Sequence, residues 1–263
     1  MKKFEYNESL DFQKLPQEYK EIKFYPLCIS DSHIFDKMMR TIGIPKKYIK
    51  TEPIIMKMSY FKFLVLLLKK RDDIIDILSF ITKTDNVKIE ITIRKGANRE
   101  DLRYEDMSLS LYINDICFNE MEFDTVREII LRQNYYSTKY IEEYDPELEE
   151  LLQVKEKLSG KGNSFNDKKF VLCALLHKMP EEIGNLSYYQ FYNLYYVCTM
   201  TLKTQIFQGW ISSGFISFEK GKTFTTYLDP IPNRFGRYDD IKMSKDTFFD
   251  KVGIKPSEKQ GKN

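Results

Sequence analysis

Apolar side chains recur along this chain in two rhythms, and the switches between them mark out its elements. From Val87 to Ile93, the apolar residues Val87, Ile89, Ile91 and Ile93 alternate with Lys88, Glu90 and Thr92, as in a half-buried strand. A polar stretch, RKGANREDLRYED, reads as a loop, and the alternation resumes at Leu109, Leu111 and Ile113. Asn114-Asp115 then predicts a tight turn into Ile116, Cys117 and Phe118, closing a hairpin. Over residues 123–133 the period lengthens to that of a helix, with Val126, Ile129, Ile130 and Gln133 on one side.

Upstream, residues 22–27 (IKFYPL) predict a short strand, with Pro26 placing it at an edge or a strand end. Ser30 and Asp31 can cap a helix over residues 30–40, where Ile34, Phe35, Met38 and Met39 make one stripe. Ser59 can cap a second helix through Phe63, Leu64, Leu67 and Leu68. Asp72 or Asp73 opens a third, with Ile74, Ile77, Leu78 and Ile81 on one face. Downstream, Asp145-Pro146 starts an acidic helix, ELEELLQVKEKL, with proline where its missing N–H costs nothing. SGKGNSFND supplies a connector. Residues 167–178 and 187–207 predict two more helices joined by MPEEIGNL. Phe215–Phe218 and Thr223–Leu228, on either side of Lys220-Gly221-Lys222, predict a small hairpin, and a Lys-rich polar tail follows Pro230.

The expected fold class is α+β. A mixed domain with a small antiparallel sheet spans residues 1–157, with a linker over 158–166. A mainly helical domain with a terminal hairpin spans 167–236, and a tail covers 237–263.

At 263 residues, with 42% hydrophobic and 30% charged side chains, the chain reads as soluble and globular. Its 41 basic and 39 acidic groups leave a net charge of +2, too little to steer a polyanion without a local patch. Cys28, Cys117, Cys173 and Cys198 are scattered without a paired spacing, so free thiols in a reducing compartment are expected rather than a zinc site. The opening residues MKKFEYNESLDF contain no apolar run, and the most apolar segment, 54–68, carries Lys57 and Lys62. Neither a signal peptide nor a membrane span is expected, and the cytoplasm is the expected location.

Catalytic equipment is sparse. No G-x-G-x-x-G, P-loop, HExxH or GxSxG occurs, and GKG at 160–162 lacks the preceding strand a phosphate loop needs. Asp31, His33 and Asp36 are weighed as a metal site, but a capped surface helix explains them, and first-turn placement explains Asp72, Asp73 and Asp76. His177 has no nucleophile beside it in sequence. No catalytic, cofactor-binding or metal-ligating residue is therefore expected.

Against that background, residues 186–218 (LSYYQFYNLYYVCTMTLKTQIFQGWISSGFISF) stand out. Tyr188, Tyr189, Phe191, Tyr192, Tyr195 and Tyr196 fall within nine positions, and Trp210 is the chain's only tryptophan. On a helix starting near Ser187, Tyr188, Phe191, Tyr195 and Cys198 make one stripe, while Tyr192, Tyr196 and Thr199 widen it sideways. That is broader than one core face needs. Tyrosine suits a surface that is apolar in body and wet at its tip. The protein-contact residues expected are Tyr188, Tyr189, Tyr192, Tyr195, Tyr196 and Trp210. Stacking on nucleic acid is disfavoured, because Lys203 is the only lysine near them in sequence.

Several segments in order, KFYPLCISD, KMSYFKFLVLLL, FDTVREIILRQN, YDPELEELL, LSYYQFYNLYYV and GWISSGFISFEKG, resemble a family of tailed-bacteriophage tail-assembly chaperones and tail morphogenesis proteins. The resemblance spans about residues 20–220; the His-Trp pair common near the family's C-terminus has no counterpart here. It implies no enzyme activity and no cofactor. The partners it implies are tape-measure or tube proteins, held through apolar and aromatic helix contacts, with self-association left open. A structural virion component (neck, connector or baseplate) and a nucleic-acid-binding accessory protein are the alternative expectations.

Overall fold

The computed structural model describes residues 4–48, 53–94, 103–145, 148–149 and 164–213. Two small antiparallel sheets lie among helices, an α+β arrangement. The first sheet pairs β1 (Gln17–Tyr19) with β2 (Ile22–Phe24). A short helix, α1 (Glu8–Phe12), precedes it, capped by Asn7. Neither α1 nor β1 announces itself in the sequence, because each is too short to show a period. β2 is also shorter than the 22–27 expected, and it ends before Pro26, which cannot donate to a ladder.

After β2 the chain makes a 3₁₀ turn at Ile29–Asp31 and enters α2 (Ser32–Met39). Next come α3 (Pro53–Lys57) and α4 (Tyr60–Lys62). Ser59 caps α4 as expected, accepting from the Lys62 N–H. The helix then widens into a π-turn, Phe63–Leu67, closed by the Leu68 N–H donating to the Phe63 carbonyl at 3.1 Å. The wider turn brings Val65 inward beside Phe63 and Leu64, and leaves Leu67 and Leu68 half-buried. α5 (Arg71–Thr82) buries Ile74, Ile77, Leu78 and Ile81, the predicted face.

The second sheet runs β3 (Val87–Ile93), β4 (Met107–Ile113), β5 (Ile116–Phe118), with β4 central. Asn114 and Asp115 both have positive φ, at 49° and 66°, and make the predicted tight turn. β3 departs from its expected burial: Val87 and Ile89 are buried, but Ile91 and Ile93 are exposed. α6 (Glu120–Gln133) starts at Asn119 through a capping box with Glu122. It lies on β4 and α4, where Phe61 and Phe123 stack at 4.1 Å.

Buried polar side chains fix the joints. Gln133 donates to the Phe24 carbonyl at 2.9 Å, and Asn134 accepts from the Leu27 N–H at 3.0 Å. Arg127, 4% exposed, donates through Nε to the Ile42 carbonyl at 3.0 Å and pairs with Glu142 at 3.0 Å. Its guanidinium lies 3.4 Å from the Tyr60 ring centroid. Glu142 belongs to α7 (Thr138–Glu142), so one side chain ties α6, α4, the 42–44 segment and α7 together.

The C-terminal helices are α8 (Phe165–Leu176), α9 (Pro180–Gly184) and α10 (Tyr188–Ser212). α9 occupies part of the segment expected only to join its neighbours, with Pro180 in its first turn. Leu172, Ile183, Tyr188 and Phe191 belong to the same buried cluster as Phe24, Ile29 and Phe123. The C-terminal helices thus contribute to the same buried cluster as the N-terminal elements. All but residues 148–149 of the acidic helix beyond Pro146, the 158–163 part of the linker, the hairpin over 215–228 and the tail lie outside the described residues.

Candidate protein-docking surface

α10 begins at a capping box: the Ser187 hydroxyl accepts from the Gln190 N–H at 3.1 Å, and the Gln190 side chain accepts from the Ser187 N–H at 3.1 Å. The segment before it is stitched to the chain after β2. Ile29 N–H donates to the Leu186 carbonyl at 2.9 Å, Cys28 and Ser187 form a β-bridge, and Tyr188 N–H donates to the Leu27 carbonyl. Gln190 also donates to the Phe12 carbonyl at 2.9 Å, joining α10 to α1.

Of the residues expected to meet a partner, Tyr188 is taken up by the protein's own core. It is 2% exposed and stacks on Phe35. Burial pushes its hydroxyl pKa well above the ordinary tyrosine value. Tyr192 is half-buried and stacks on Tyr135 at 4.7 Å, and Tyr189 meets the same ring edge-on. Tyr195 and Tyr196 are half-buried as well. Lys168, on α8, comes within 6.0 Å of the Tyr192 ring and 5.9 Å of the Tyr195 ring, so a second lysine is near this cluster in space, though distant in sequence. Trp210 is 48% exposed, with Phe207 edge-on to it at 5.6 Å.

Phe191 lies in the buried core and Cys198 packs against it, the last α10 residue to do so among the described apolar residues; farther along, Thr204 is buried again, at 1%. The same three- and four-residue spacing continues through Leu202, Ile206 and Trp210. These last three are exposed, at 43%, 44% and 48%. The apolar row thus continues past Cys198, but each four-residue step turns it about 40° round the helix, so that Trp210 stands roughly 120° from Cys198. At about 1.5 Å per residue, the part of α10 beyond Cys198 presents roughly 20 Å of helix.

The threonine hydroxyls of this distal half are turned onto the helix itself, while Lys203, Gln205 and Gln208 are exposed. The hydroxyls of Thr199, Thr201 and Thr204 each donate to a carbonyl of the preceding turn at 2.8 Å. Lys203 is the only charged residue between Thr199 and Ser212. The outcome is a helical surface of low charge and large apolar side chains. Sequence reasoning singled out Trp210 and missed Leu202 and Ile206; the signal was present, because they extend the Phe191–Tyr195–Cys198 spacing without a break.

Several of the other groups weighed for chemistry have structural employment. Asp31 accepts from the Cys28 N–H at 2.8 Å, and His33 packs edge-on against Phe80. Asp73 and Asp76 face Lys37 at 3.7 and 2.7 Å. His177 ends α8 in the left-handed conformation, with φ 52°. Among the described residues, no three histidine, cysteine or acidic side chains gather as a metal would require, and no helix is long and apolar enough to cross a membrane. A cleft of about 720 Å³ between Leu15, Tyr25, Leu27 and Phe80 has Lys83 on one wall, its Nζ 3.8 Å from the Tyr25 ring centroid. Compared with family models, characterised proteins and solved structures, the chain has no match.

Proposed function

We propose that this is a non-enzymatic morphogenesis protein of a tailed bacteriophage, a tail-assembly chaperone that holds tape-measure or tube protein through the distal half of α10. The observation that carries the reading is the continuation of the apolar row past Cys198 into the exposed residues Leu202, Ile206 and Trp210. The multi-segment resemblance supplies the biological setting, the host cytoplasm during assembly.

The mechanism is helix docking. A tape-measure protein is long and helical, and its apolar stripe aggregates unless covered. Leu202, Ile206 and Trp210 offer a matching stripe at i, i+4 and i+8 spacing, suited to side-by-side packing with one face of a client helix. The short contact length keeps the interface at the small, transient end of the range, which suits a client that must be released to the growing tail. Low charge on this surface means that apolar burial rather than ion pairing drives the contact.

Co-expression with tape-measure and tube proteins of a tailed phage, followed by affinity capture of this chain, tests the proposal. Retention of either protein is expected, together with absence of this chain from purified virions by mass spectrometry. A monomer that retains neither protein contradicts it, and a stable place in the finished particle makes it a virion component instead.

A further inference from the structure

Among the described residues, the outer edge of β3 has no strand beside it over Ile91–Ile93. Arg94 N–H donates to the Asp106 carbonyl at 2.8 Å, and Asn114 N–H donates to the Asn86 carbonyl at 3.0 Å. With the register Lys88↔Tyr112, Glu90↔Ser110 and Thr92↔Ser108, these bonds place the even-numbered residues of β3 in hydrogen-bonded pairs with β4. The odd-numbered residues therefore direct their backbone N–H and C=O groups away from β4, to the free edge. At Ile89 that edge is closed, because Arg71 Nη2 donates to its carbonyl at 2.8 Å. Among the described residues, no strand pairs with β3 on that side at Ile91 or Ile93.

Both isoleucines also expose their side chains, at 43% and 45%. They project to the same side of the sheet as buried Val87 and Ile89, but past the end of the core. Unpaired backbone groups next to exposed β-branched apolar residues are what a further strand requires. The neighbouring even positions decide which strand. Glu90, Thr92 and Arg94 are all exposed on the opposite side.

We propose that β3 pairs antiparallel with β3 of a second copy of this chain, about a two-fold axis at Thr92. That register sets Ile91 of one copy opposite Ile93 of the other, each such pair exchanging two N–H···O bonds. It sets Thr92 opposite Thr92. It also sets Glu90 of each copy opposite Arg94 of the other, in the non-hydrogen-bonded positions where side chains approach most closely. The strand is therefore complementary to itself in backbone, apolar side chains and charge. The two sheets become one continuous sheet across the axis, and the exposed isoleucines of both copies cover one another. The contact is short, so association is weak, concentration-dependent and diminished by salt. It is independent of α10 and of the function proposed for it.

Sedimentation equilibrium of the full chain over a range of concentrations tests the pairing. A monomer–dimer equilibrium is expected. Glu90→Arg and Arg94→Glu should each weaken it roughly tenfold, since each turns two attractive pairs into repulsive ones. The double variant Glu90→Arg/Arg94→Glu should restore it. Ile93→Pro should abolish the dimer while leaving the folded monomer intact, because the Ile93 N–H serves no bond to β4. A chain that stays monomeric throughout overturns the proposal. A dimer that ignores all four variants overturns it too, as does one lost instead in Leu202→Lys.

Discussion

The rings of Phe35 and Tyr188 lie face to face, their centroids 3.7 Å apart and their planes within 9°. One belongs to α2, near the start of the chain, and the other to the first turn of α10, so this stack fastens the C-terminal helix to the N-terminal body. Tyr188→Ala should cost about 3–5 kcal/mol, the loss expected when a fully buried aromatic ring is truncated. Tyr188→Phe keeps the stack and should cost far less. Chemical denaturation of the two variants against the parent checks this, and comparable losses in both would place the stabilisation in the hydroxyl instead of the ring.

Arg127 supports a second expectation. Arg127 is buried, but Glu142 is more than one-third exposed and the Ile42 carbonyl keeps the Tyr60 hydroxyl as donor. Losing Arg127 therefore costs about 1–3 kcal/mol, the worth of its hydrogen bonds. Arg127→Met should show a loss of that size in urea unfolding, since the Ile42 carbonyl and Glu142 would both lose a donor. Arg127→Lys should recover only part of it, because an ammonium cannot reproduce the planar fork over Tyr60.

The α2–α5 contact should depend on pH. A hydrogen bond from Lys70, reinforced by Lys37, holds the Asp73 carboxyl below the ordinary carboxylate range. A carboxylate whose folded pKa is depressed adds stability that is complete above the unfolded value near 3.9, and that disappears as pH falls through the folded value. These side chains are about one-third exposed, so solvent screening holds the increment below about 1 kcal/mol. Asp73→Asn should thus be less stable than the parent near neutral pH, and the gap should close below about pH 3. A gap that persists unchanged in acid would assign the loss to packing.

Much of this architecture can be read from local pattern, and the exceptions share a cause. The Asn114-Asp115 turn, the Ser59 and Ser187 caps and the buried face of α5 follow from side-chain chemistry acting over a few residues. The π-turn at Phe63–Leu67 was hidden, because FLVLL is apolar throughout and fits either helical pitch. Alternation in β3 told which side Ile91 and Ile93 face, but not that the core stops short of them. In the same way, the tyrosine cluster was visible in the sequence, while its division was not. Only the packing of Phe35 and Phe165 around Tyr188 shows that this ring is core, and only the course of the apolar row past Cys198 leaves Leu202 and Ile206 uncovered.

Exposed apolar residues of the distal α10 stripe contribute little to folding, so charge placed there should separate docking from stability. Leu202→Lys/Ile206→Lys should leave stability within about 0.5 kcal/mol of the parent per site. The same variant should lose client protein in affinity capture. Loss of stability and capture together would mean that the stripe is covered within the protein.

Trp210, the only tryptophan in the chain, stands in the proposed docking stripe and so reports on that surface alone. The most direct measurement is its emission as a tryptophan-free helical segment of the tape-measure protein is titrated into the full chain. Docking along Leu202, Ile206 and Trp210 predicts a saturable blue shift, as the half-exposed indole leaves water, and its absence in Leu202→Lys/Ile206→Lys. Binding that leaves the emission unchanged, or no binding at all, would contradict a docking role for α10.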